Sequence, residues 1–114
     1  LLEVNIGGEA SKSGVCPAEV QPLAEHILTL PALCLRGLMT VPPAGEDPRK
    51  YFAAMRTLFE QMRSQLPKTF DTLSMGMSHD FETAVEEGAT IVRIGSAIFG
   101  ARPPKTAVKE EANK

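Results

Sequence analysis

The chain has 114 residues, 43% of them hydrophobic and 23% charged, and a formal net charge of −2 at pH 7. That length suits one domain or part of one. There is no basic stripe for a nucleic-acid backbone, no acidic block, and no apolar run near the roughly 20 residues of a membrane span. Nucleic-acid and membrane partners are therefore not expected.

Leu2, Val4 and Ile6 alternate with Glu3 and Asn5 until Gly7-Gly8 halts the run, which reads as a strand. The chain opens inside this run without a methionine, which points to a piece of something longer. "GEASKSG", from Gly8 to Gly14, is small, polar and loop-like. Val20, Leu23, Ala24, Ile27 and Leu30 form a helical stripe between Pro17 and Pro31, and Pro22 requires the helix to start late or to bend. "LCLRGLMTV", from Leu33 to Val41, is too short for a typical helix and reads as a buried strand.

Asp47 or Pro48 opens the longest helix, which runs to near Leu66. Phe52, Met55, Phe59, Met62 and Leu66 recur along it at core spacing, and Pro67 stops it. Thr72 to Met77 reads as the third strand. Ser78 then caps a helix from about His79, with Asp80 in its first turn, Phe81, Ala84 and Val85 on its buried face, and Gly88 as a left-handed C-cap. Ile91 to Ile94 reads as the fourth strand, followed by Gly95-Ser96 and a short helical turn to Gly100. Residues 102–114 read as a polar, flexible tail, leaving 1–101 as the domain. Cys16 and Cys34 lack metal-ligand spacing and read as reduced thiols, with a single disulfide as the alternative.

Alternating strands and helices predict a parallel sheet with right-handed crossovers and ligand-binding loops gathered on one rim. Four such βα-like units make half of a (β/α)8 TIM barrel. Alone they leave two open sheet edges, which points to a missing N-terminal half as partner.

Ser78 has two readings. It either caps a helix or offers a hydroxyl and free N–H groups to a phosphate. Gly95-Ser96 repeats the arrangement one strand later, and adjacent parallel strands lie about 4.8 Å apart, so the two turns can reach one phosphorylated ligand. Arg93, inside "IVRIG", either pairs with a carboxylate such as Glu82 or Glu86, or points into the barrel mouth to meet an anion or a ring nitrogen. Arg36 reads as structurally paired, and Lys12 as a solvated loop lysine. Tyr51, at a helix start, reads as lying off the ligand rim. His26 and His79 form neither a metal site nor a dyad by spacing, so no metal and no catalytic residue is assigned.

The stretch "LSMGMSHDFETAVEEGATIVRIGSAIFGAR" closely resembles the C-terminal signature of the pyridoxal phosphate homeostasis protein family, and "EASKSG" and "LRGLMTV" fit that family in the same order. The resemblance covers all of the chain except the tail. It implies the C-terminal half of an alanine-racemase-type barrel that binds pyridoxal 5′-phosphate (PLP). The phosphate would lie on Ser78, Gly95 and Ser96, and the pyridine nitrogen would face Arg93. Lys12 matches, more loosely, a basic position near the cofactor's phenolic oxygen. The family's Schiff-base lysine belongs to an early strand that this segment lacks, and no other lysine takes the role here. The resemblance further implies a non-catalytic, cytoplasmic PLP carrier in vitamin B6 homeostasis, with a mitochondrial location as the alternative and PLP-dependent apo-enzymes as recipients. The alternative function is a racemase-like PLP enzyme.

Overall fold

The computed structural model describes residues 1–9, 12–95 and 98. In chain order these form β1 (Leu2–Glu3), a 3-10 turn (Pro17–Glu19) running into α1 (Val20–Leu28), β2 (Gly37–Met39), α2 (Pro48–Arg63), β3 (Thr72–Met77), α3 (Phe81–Glu86) and β4 (Ile91–Arg93). The strands make one sheet in the order β1-β2-β3-β4, with every neighbouring pair parallel. A sheet that advances one strand at a time, with a helix in each connection, has the topology of a partial TIM-barrel-like α/β fold. The expected turn to Gly100 and the tail 102–114 lie outside the described residues.

Helix α2 follows its sequence closely. Asp47 sits at the N-cap, where its Oδ1 accepts from Arg49 N at 3.0 Å, and Pro48 takes the first helical position, where no backbone donor is lost. The stripe Phe52, Met55, Phe59 and Met62 is buried against the sheet with Leu38, Leu73, Met75 and Phe70. The rings of Phe59 and Phe70 stack with centroids 5.3 Å apart. Pro22 is accommodated by a late start: the 3-10 turn precedes α1, so the proline falls in the first α-turn, where its missing N–H has no helical acceptor to serve.

The first strand ends at Glu3 rather than at Ile6, with Val4 making only an isolated bridge to Val15, and two further elements differ from the sequence expectation. The second strand spans only Gly37–Met39, and its expected flanks Leu33 and Val41 are 56% and 49% exposed. A strand lasts only as long as its neighbours pair with it. Here Leu38 pairs with Leu2 and Leu73, and β1 is two residues long. The third helix begins at Phe81 rather than His79, so Ser78 is not its cap. Asp80 N donates to Met77 O at 3.1 Å and Asp80 Oδ1 accepts from Met77 N at 2.7 Å, closing a turn before the helix starts. Because α3 has six residues, its buried face narrows to Ala84, and Val85 is 56% exposed. Gly88 takes the expected left-handed conformation, with φ +96°.

Both cysteines are free and exposed. Truncating the fully buried Phe52 to alanine removes a ring from the centre of the α2–sheet contact. Phe52→Ala should destabilise the fold by about 3–5 kcal/mol, read as the shift in the urea midpoint at constant m.

Candidate functional site

The carboxyl end of the sheet is shaped by one irregularity in β3. Ser74 pairs with Ile91 and Met77 with Arg93, which is three steps on β3 against two on β4. The extra residue is a bulge. Gly76 permits it, with φ +102°. A Cβ on Gly76 would lie 2.6 Å from Ala84 Cβ and 3.3 Å from Val92 Cγ1, so the glycine also lets α3 lie close against the strand. The sequence reading passed over Gly76, although a glycine inside a strand pattern is the usual signal of a bulge or a close approach.

The consequence is a shared rim. With Met77 opposite Arg93, the chain leaves β3 at Ser78 and β4 after Arg93 on the same edge of the sheet. Ser78 is half-buried in the Met77–Asp80 turn, and it lines a cavity of about 240 Å³ with the residues that follow as far as Thr83. Gly95 is exposed; a Cβ added there would meet no atom within 4 Å, and its carbonyl accepts from Ile98 N at 3.1 Å. Ser96 lies outside the described residues.

Arg93 does not take the carboxylate partners considered for it. Glu86, with Glu87, pairs with Arg49 across α2 and α3 instead. The half-buried Arg93 sends Nη2 to Thr40 O at 2.8 Å, while its Nε is buried and has no partner among the described residues. Thr40 is itself fully buried. Its hydroxyl donates to Val4 O at 2.6 Å and its N–H to Ser74 O at 3.1 Å. Thr40 escaped the sequence reading because nothing in "GLMTV" separates a threonine with bonded polar groups from a β-branched strand filler.

Arg36 is paired structurally, as expected. It meets both oxygens of Asp71 at 3.1 and 3.2 Å and Thr69 O at 2.9 Å, just before β2 begins. The Thr72 hydroxyl and then Arg36 hold the Asp71 carboxyl below its ordinary pKa.

A second cavity of about 270 Å³ lies on the same rim, where Lys12, the Val41–Glu46 loop, Met77 and His79 converge. Tyr51 is closer to this rim than its sequence position suggested, because α2 starts where β2 ends. Its hydroxyl donates to Oε1 of Glu46, a cavity-lining residue, at 2.8 Å. That bond, followed by the Lys50 ammonium, holds the Glu46 carboxyl below its ordinary 4.5, and the same bond raises the Tyr51 phenol.

Residues 1–103 match the model of the alanine racemase N-terminal domain family. The chain belongs to that family. Among curated relatives it is 50% identical over 105 residues to the pyridoxal phosphate homeostasis protein of Aquifex aeolicus, covering 90% of this chain and 46% of the relative. It is 48% identical over 105 residues to the protein of that name from Escherichia coli K12, covering 90% of this chain and 44% of the relative. The chain thus spans less than half the length of these relatives. Among solved structures, PipY of Synechococcus elongatus with PLP bound superposes with a TM-score of 0.73 at 33% identity, over 87% of this chain and 47% of PipY. PipY without PLP gives a TM-score of 0.79 at 35% identity, over 87% and 48%. The crystal structure of an unknown protein from Bifidobacterium adolescentis gives 0.80 at 44% identity, over 87% and 42%.

Removing the tyrosine hydroxyl tests the Glu46 contact. A depressed carboxylate contributes above its unfolded pKa, and that contribution is lost as pH falls through the folded value. In Tyr51→Phe the Glu46 carboxyl should rise toward 4.5 in an NMR titration, shrinking that window. An unmoved titration would assign the depression to Lys50.

Proposed function

We propose that this segment is the C-terminal half of a PLP-binding barrel, and that the rim between β3 and β4 holds the cofactor's phosphate and ring nitrogen. The observation that carries this reading is the pairing of Met77 with Arg93, which brings the Ser78 turn, Gly95 and a guanidinium to one edge. The residues suit such a group. Gly95 leaves open space where a side chain would stand, and Arg93 keeps a buried donor without a partner among the described residues. Ser78 supplies a hydroxyl to the phosphate, and Ser96, which follows Gly95 in the sequence, offers a second. Relatives named for pyridoxal phosphate homeostasis and a PLP-bound neighbour support the cofactor's identity.

PLP, when bound, supplies an electron-withdrawing ring and an aldehyde. Arg93 would donate an N–H toward the ring nitrogen. As a permanent cation it keeps a second positive charge, and so a proton, off that atom. A ring without that proton is a weaker electron sink, which favours a carrier over a racemase-like enzyme. The protein would then hold PLP in the cytoplasm and release it to apo-enzymes. Its lysine attachment point and the remaining strands would come from an N-terminal half.

The test uses the full-length protein carrying this segment. Ser78→Ala should weaken PLP binding by about 1–2 kcal/mol, the worth of a charge-assisted hydrogen bond, as read by equilibrium titration. Arg93→Leu should change the pH dependence of the cofactor's absorption more than its affinity. Unchanged affinity in the first variant would remove Ser78 from the site. An unchanged spectrum in the second would remove Arg93, and amino-acid racemisation by the wild type would overturn the carrier reading.

A further inference from the structure

We propose that Thr40 is the positioning residue for Arg93, setting the direction in which the guanidinium faces the cofactor ring. The inference rests on the assignment of Arg93 to the ring nitrogen. Thr40 follows β2 directly, and each of its polar groups is used. The hydroxyl reaches Val4 O, beyond the end of β1, at 2.6 Å; the N–H reaches Ser74 O on β3 at 3.1 Å; and the carbonyl accepts from Arg93 Nη2, on β4, at 2.8 Å. One residue therefore joins all four strands of the sheet at the rim where the two turns leave it.

The hold on the carbonyl is rigid for two reasons. Thr40 is 0% exposed, so its bonds act in a low-dielectric setting without competing water. The bonds on its hydroxyl and its N–H run to Val4 and Ser74 and anchor the residue from which the carbonyl projects. Arg93 depends on that carbonyl, because Nη2 bonds it while the buried Nε has no partner among the described residues. A guanidinium is a planar fork, and anchoring one arm restricts the directions in which the others can point. Burying a hydroxyl is unfavourable unless it is bonded, and valine would fill the same shape without that requirement. The threonine is explained by the bond it makes to Val4, which valine cannot make.

The experiment compares wild type, Arg93→Leu, Thr40→Val and Thr40→Ser in the full-length protein. Two readouts are recorded: the absorption of bound PLP across pH, and the NMR signals of the Arg93 guanidinium in the cofactor-free protein. Arg93→Leu should move the cofactor's spectral transition to higher pH, because the ring nitrogen takes a proton more readily once the cation is gone. Thr40→Val should move it in the same direction by a smaller amount and should collapse separate Arg93 Nη signals into one averaged signal. Thr40→Ser, which keeps the hydroxyl, should restore both. A shift in Arg93→Leu with a wild-type spectrum in Thr40→Val overturns the role of Thr40 and leaves the Arg93 assignment standing. No shift in Arg93→Leu removes the Arg93 assignment, and the role of Thr40 at the cofactor falls with it. Should Thr40→Val fail to fold, the wild type alone decides: freely averaging Arg93 Nη protons overturn the proposal, and separate, slowly exchanging ones support it.

Discussion

The rim depends on a single extra residue in β3. Without the bulge at Gly76, strict pairing from Ser74–Ile91 would set Gly76 opposite Arg93, and the turn after Met77 would leave the sheet one residue out of step with the turn after β4. Because side chains alternate across a strand, that slip would also exchange which of them face the sheet's two sides. Gly76 makes the bulge affordable twice over, by accepting φ +102° and by leaving room for Ala84. The geometry of the candidate anion site and the approach of α3 therefore have one cause.

Legibility in the sequence follows how local each cause is. Helix α2 can be read directly because its cap, its Pro48 and its Phe/Met stripe are all specified within the helix itself. The third strand is equally plain, bounded as expected at Thr72 and Met77. The second strand is not, because its length is imposed by the two residues of β1, a limit that lies 36 positions away in register (Leu2 against Leu38). The start of α3 is missed for a related reason. Ser78 and Asp80 are both good capping residue types, and only the backbone shows that Asp80 closes a turn onto Met77 first. At the site, the turns around Ser78 and Gly95 can be read as residue types, whereas the partner of Arg93 cannot. A main-chain carbonyl leaves no trace in a sequence, and Glu86, one of the two carboxylates that seemed natural partners, is drawn off by Arg49.

The arginines show how context assigns one side chain two kinds of work. Arg36 lies exposed before β2 and meets Asp71 in water, where an ion pair contributes little. Arg93 lies at the other end of the sheet, without a carboxylate, against a carbonyl. A cation held in this way keeps its charge available to whatever approaches the rim, since nothing nearby neutralises it among the described ion pairs.

The sheet's margins carry a consequence of their own. The outer strands β1 and β4 contribute two and three residues, so any complementary piece of polypeptide would find very short ladders to extend on either flank. Brevity of this kind discourages promiscuous stacking of one molecule upon another.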